Sequence, residues 1–167
     1  MRVTLPIVIV ATVGAALPVN ARAQAPPSAL VFEAGAWHAY DESLLQLGVR
    51  ATPTHGGFTT VDLAFATFPD LLFDGVMQFQ MDVDVTHGAP RDTSSVCVFP
   101  RAGFSLLTAG SISSSGSGGS AIGYNAGIGL FFRTSSHVGI RLDYTYRRFL
   151  AVDGSFSSIT AGLVFGR

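Results

Sequence analysis

The side chains of this chain that could do chemistry fall into three groups. The largest is a set of charged and amide residues recurring at alternate positions: Glu33, Arg50, Asp62, Gln78, Gln80, Asp82, Asp84, Arg101, Arg133, Arg141, Asp143 and Arg147. Asp82 and Asp84 have the spacing of a hard-cation pair. They lack the loop glycine and the third carboxylate in series that such a site uses, so pairing with arginine is the expected role. The second group is four histidines, His38, His55, His87 and His137. His55 and His87 stand beside glycine in turn-like stretches. Ser136 and His137 are adjacent, which puts them on opposite faces of an extended chain and spoils a nucleophile and base geometry. Trp37-His38, with Asp41 and Ser43 nearby, is the best placed of the catalytic candidates, against a plain reading of interfacial tryptophan and solvated histidine. The third group is one cysteine, Cys97, which excludes an internal disulfide and a cysteine-based zinc cluster. The pattern calls for no cofactor, no metal and no catalysis.

Composition narrows the classes further. Of 167 residues 48% are hydrophobic and 13% charged, which is too apolar for a disordered chain. All ten basic residues are arginine and none forms a basic run, so nucleic acid is not an expected partner. At the start, Arg2 precedes an apolar stretch at 5–17, and Ala21, Arg22 and Ala23 offer a small-x-small cleavage pattern. Residues 1–23 therefore read as a secretory signal peptide and 24–167 as one domain.

Beyond the leader no apolar run reaches the ~18 residues of a membrane helix, and the hydrophobic residues follow a period of two instead. Val138, Ile140, Leu142, Tyr144 and Tyr146 alternate with Gly139, Arg141, Asp143, Thr145 and Arg147. The segments 124–133 and 158–165 split in the same way. Period two places the two sets on opposite faces of a strand. Further strands are expected at 29–40, 44–53, 58–68, 72–85 and 96–107, with turns at 54–57, 68–71, 86–95, 109–120, 134–136 and 151–155. An even number of antiparallel strands can close without an edge, as lipid demands.

Alternation alone fits either a membrane barrel or a soluble lipocalin-like barrel with the faces exchanged. Content separates them. Lysine is absent, and the polar set is rich in glycine with few charges per strand, which suits a narrow interior rather than a wet surface. Tyr40, Phe68, Phe99, Tyr124, Phe132, Tyr144, Tyr146, Phe149 and Phe165 gather toward strand ends, as interfacial girdles do. The expected fold is a closed eight-stranded antiparallel up-and-down transmembrane β-barrel whose interior acids and arginines pair with one another. Counting from a turn at 54–57 places Arg50 opposite Asp62, and Arg101 near Gln80 and Asp82. Arg147 and Arg148 approach the outer rim, where two guanidinium groups could hold lipid phosphates.

Residues 121–167 resemble the C-terminal half of small outer-membrane barrels of the outer membrane protein A and X type. The resemblance rests on Tyr124-Asn125-Ala126-Gly127-Ile128-Gly129, on the strand at 138–147, and on Thr160-Ala161-Gly162-Leu163-Val164-Phe165. It implies a monomer in the outer membrane with an ion-paired interior, short periplasmic turns and outward loops, in contact with outer-membrane lipids and potentially lipopolysaccharide. On this reading the role is structural or one of envelope interaction. The alternatives are a soluble periplasmic ligand-binding barrel and, behind it, a lipid A-modifying surface enzyme, although the histidine-x-serine-asparagine pattern of deacylase barrels is missing.

Overall fold

The computed structural model describes residues 29–52, 59–88, 96–111, 118–135 and 137–166. The leader at 1–23, the turn at 54–57 with His55, and Ser136 lie outside them. Eight strands, β1 (Ala29–Ala39), β2 (Glu42–Thr52), β3 (Thr59–Thr67), β4 (Val76–His87), β5 (Val96–Ser111), β6 (Gly118–Arg133), β7 (Val138–Phe149) and β8 (Phe156–Gly166), pair antiparallel in sequence order. β8 returns to pair with β1, so the sheet closes as an up-and-down barrel.

Several boundaries differ from the sequence expectation. β5 and β6 run into the serine- and glycine-rich stretch from both sides, with Gly110 opposite Gly118 and Thr108 opposite Ser120. Small residues leave the ladder free to continue, so 109–111 and 118–120 of the expected loop are strand. In place of the start of β4, residues Pro69–Phe73 form a one-turn helix, α1, with proline in its first turn and Asp70 beside it. Its function is visible at β2: the Asp70 Oδ2 atom accepts from the Leu45 backbone N–H at 2.6 Å. Paired residues of β2 and β3 extend only from Leu47–Thr67 to Ala51–Leu63, so α1 caps a backbone donor beyond the end of β3.

Register differs too. Arg50 faces Ala64 rather than Asp62, and Arg101 faces Thr86, with Asp82 opposite Ser105. The connection from β2 to β3 is two residues longer than a turn at 54–57 requires. Both offsets preserve parity, and a shift by an even number keeps every side chain on its face.

The two faces differ sharply. Outward residues include Phe32, Phe65, Phe104 and Ile122, each more than half exposed. On β6 the outward set runs Ile122, Tyr124, Ala126, Ile128, Leu130 and Phe132. Ten steps of ~3.3 Å at ~40° tilt make that band about 25 Å tall. The inward set is polar through the middle of the barrel and apolar at both ends. At the end bearing α1, Trp37, Phe68, Ala121, Phe149 and Phe156 form a cluster. At the other end Val31, Phe99, Phe131 and Val164 form a second.

Candidate functional site

The middle of the lumen is where the fold gathers its reactive groups. Five carboxylates (Glu33, Asp62, Asp82, Asp84, Asp143) and four guanidiniums (Arg50, Arg101, Arg141, Arg147) are all at most 7% exposed. They come from β1, β2, β3, β4, β5 and β7, and each is inward because it shares the parity of its strand's interior set. Arg50 donates to Glu33 Oε2 through Nε at 3.3 Å and to Asp84 Oδ2 through Nη1 at 3.1 Å. Arg101 donates to the same Asp84 oxygen, and through Nη1 to Asp143 Oδ1 at 3.3 Å. Its Nη2 atom stands 3.8 Å from Asp82 Oδ2. Arg141 holds Asp143 through Nε at 2.6 Å and Asp62 through Nη2 at 3.0 Å. Arg147 donates to Asp82 at 2.7 Å and to the Ser158 hydroxyl at 2.7 Å.

Neutral groups complete the network. Ser105 and Gln80 donate to Asp82 at 2.6 and 2.9 Å, Asn125 donates to Ser105 at 3.0 Å, and Thr52 donates to Asp62 at 2.7 Å. An isolated ion in such a place would cost several kcal/mol, so the reciprocal pairing is what makes the interior tolerable. Chemically this arrangement cross-links strands. Its carboxylates are engaged by arginine, and among the described residues no group of three or more histidine, cysteine or acidic side chains is placed to hold a metal.

The structure redistributes the remaining sequence candidates. Arg133 lies at the end of β6 away from α1, on the wall of a cavity of about 100 Å³ with Asp62, Phe99, His137 and Arg141. Over that cavity the Arg141 guanidinium stacks on the Phe99 ring, 4.6 Å from its centroid. Cys97 is half-buried beside the same apolar cluster, and its thiol donates to the Gly88 carbonyl at 2.9 Å. His87 meets the Thr59 hydroxyl at 3.3 Å. Two expectations require correction. Arg147 does not approach lipid: it is 1% exposed and points into the lumen, so of the two rim arginines only Arg148 faces outward. Trp37 is no girdle residue either. It is 3% exposed and stacks on Phe156 at 5.0 Å and against Phe68 at 4.9 Å. Phe68, Phe99 and Phe149 are likewise inward, whereas Tyr124, Tyr144 and Phe165 do face out.

His38, next to Trp37, points the other way. Its Nδ1 atom lies 2.7 Å from Ser43 Oγ on the outer rim. Among the described residues no carboxylate is hydrogen-bonded to that ring, so the pair lacks the group that would orient a catalytic base.

No protein-family model matches the chain, and no curated protein does. Solved structures resemble it over nearly their full length. The N-terminal β-barrel domain of Pseudomonas aeruginosa OprF aligns with a TM-score of 0.67 at 14% identity, covering 86% of this chain and 100% of that domain. Neisserial surface protein A aligns at 0.63 and 12% identity, covering 84% and 96%. The outer membrane protein OprG of Pseudomonas aeruginosa aligns at 0.55 and 14%, covering 88% and 97%. The shared feature is the fold, that of small eight-stranded outer-membrane β-barrels.

Proposed function

We propose that this chain is an integral outer-membrane barrel with a structural or envelope-interaction role, exported by its leader, plugged through the lumen and without catalysis of its own. One observation carries the reading: the faces of the sheet are inverted relative to a water-soluble barrel. Leu30, Phe32, Leu63, Phe65, Val83, Val85, Phe104 and Leu163 face out, while five carboxyl and four guanidinium side chains face in. Water would reward the opposite arrangement, and an acyl-chain medium rewards this one. The closed sheet also leaves no strand edge to be satisfied by solvent.

The plug follows from what fills the lumen. Eight strands enclose little more than their own side chains. Here the ionic network occupies the middle, and the Trp37 cluster occupies the end bearing α1. The wall is therefore offered to lipids, and the interior to closure.

Boiled and unboiled samples of the detergent-extracted membrane fraction compared by SDS electrophoresis test the reading. A closed barrel resists SDS until heated, so a mobility shift together with recovery in the outer membrane is expected. Recovery in the aqueous periplasm without a shift would overturn it and favour a soluble ligand carrier. Planar bilayers containing the purified protein are expected to show no steady conductance steps; such steps would overturn the plug.

A further inference from the structure

The two ends of the lumen are built differently. At the α1 end aromatic rings pack on one another, with Trp37 against Phe156 and Phe68. At the opposite end the rings lie along the barrel wall, because glycine makes room for them there. A Cβ on Gly129 would run into the Phe99 ring, and one on Gly139 into the Phe131 ring. The space left inside is the cavity of about 100 Å³ next to the ionic network, whose lining reaches the rim at Ala29, Ser135 and Gly166.

The lining combines two chemistries. Val31, Phe99, Phe131 and Val164, each at most 8% exposed, supply apolar surface. Thr52, Thr60, Asp62, Thr86, Arg133 and Arg141 supply polar groups. The Asp62 carboxylate is already committed to the protein: it accepts from Thr52 at 2.7 Å, meets Arg141 Nη2 at 3.0 Å and stands 4.0 Å from Arg50 Nη1. Arg141 is 7% exposed, with Nε and Nη2 taken up by Asp143 and Asp62. Its Nη1 atom carries no hydrogen bond among the described residues. The lining thus sets two guanidiniums against one carboxylate, and one of the guanidiniums keeps a buried donor in reserve.

We propose that this cavity binds a small monocarboxylate with a compact apolar body, the size of one aromatic ring or a short branched chain. The body lies against Val31, Phe99, Phe131 and Val164, and the carboxylate is held by Arg133 and Arg141. Charge selects the head, since a guanidinium matches carboxylate oxygens and a buried donor without a partner favours a ligand that brings an acceptor. Volume selects the body. An apolar cavity of roughly 150 Å³ holds benzene, so one of about 100 Å³ takes a single ring only if the polar end sits at the rim. Both described termini, Ala29 and Gly166, lie at this end, so with termini in the periplasm the site draws its ligand from there. Only that choice of compartment rests on the outer-membrane reading.

Fluorine NMR of 4-fluorobenzoate titrated with the purified protein in lipid nanodiscs tests the site, with empty nanodiscs subtracting partition into lipid. A saturable shift with a dissociation constant of about 1 mM or tighter is expected, and the neutral isostere 4-fluorobenzamide is expected to bind about tenfold more weakly. Arg133→Gln is expected to weaken 4-fluorobenzoate binding by about tenfold, and Val164→Phe, which fills the apolar part of the cavity, to abolish it, both with the heat-dependent mobility of wild type. Should Val164→Phe lose that mobility, Ala29→Phe at the rim serves in its place. Equal binding of the amide overturns the proposal, as does unchanged binding by either folded variant. Wild type that shifts on heating yet binds no 4-fluorobenzoate sinks the site and leaves the outer-membrane reading standing. Saturable binding by protein recovered from the aqueous periplasm without a mobility shift supports the site and sinks that reading.

Discussion

Arg147 on β7 reaches across the lumen to Asp82 on β4, placing Nη2 2.7 Å from Oδ2 and joining residues 65 apart in sequence. Hydrogen bonds of the ladder tie each strand only to its two neighbours, so this pair braces walls that the sheet itself does not connect. Asp82 also accepts from Ser105 and Gln80, and Arg147 also donates to Ser158. The brace is thus shared among β4, β5, β7 and β8.

Breaking that pair from one side leaves the other ion buried. Arg147→Leu is expected to destabilise the barrel by about 3–5 kcal/mol, and Asp82→Leu by a similar amount. The double variant is expected to cost clearly less than the sum, because it removes both charges and fills the space with methyl groups. Urea unfolding of lipid-reconstituted protein, followed by the heat-dependent mobility shift, measures all three. Additive losses would mean that the pair is not coupled.

Closure also constrains the backbone where strands come closest. A Cβ built on Gly103 would lie 2.0 Å from the Val83 carbonyl oxygen and 2.7 Å from Asp84 Cα, so it could be accommodated only by moving β4 away from β5. Asp84 is the partner of Gly103 in register and the carboxylate between Arg50 and Arg101, so the strain reaches the network directly. Gly103→Ala is expected to cost roughly 1–3 kcal/mol and to lower the yield of SDS-resistant barrel. Gly119, whose Cβ would meet nothing, is the control: Gly119→Ala is expected to change stability by less than about 0.5 kcal/mol in the same assay.

The legible and illegible parts of this chain divide along one line. Period-two patterning reports which face a residue occupies, and it placed Glu33, Arg50, Asp62, Asp82, Arg101, Asp143 and Arg147 in the lumen irrespective of register, since both register offsets were even. It does not report height along the strand or what lies across the barrel. The contacts between Arg147 and Asp82 and between Arg141 and Asp62 join strands that are not adjacent in the sheet, and only closure brings them together. The inward aromatic cluster was within reach of the same rule. Trp37 shares parity with Glu33, Phe68 with Asp62, and Phe149 with Arg147, so each is inward by the logic already applied to the charges. Their position near strand ends suggested a girdle instead, and for these three parity outranks position. The helix α1 had its own signal in Pro69-Asp70, read as a turn rather than as the start of a helical turn.

Trp37 offers a direct reading of that distinction, because it is the chain's single tryptophan. A girdle tryptophan would touch acyl chains and be quenched by lipids brominated along their tails. In the fold its indole is 3% exposed, stacked on Phe156 and packed against Phe68 inside the barrel wall. Reconstituted wild type is therefore expected to show weak quenching by brominated lipid and weak quenching by aqueous iodide, since neither medium reaches the ring. Phe104 is 70% exposed on the outer wall. Moving the reporter there, as Trp37→Phe combined with Phe104→Trp, is expected to give strong quenching by brominated lipid. Truncation carries the energetic counterpart: Trp37→Ala opens the cluster of Phe68, Phe149 and Phe156 and is expected to cost about 3–5 kcal/mol. Strong brominated-lipid quenching of wild type would put Trp37 on the outer wall and remove the proposed plug from that end of the lumen.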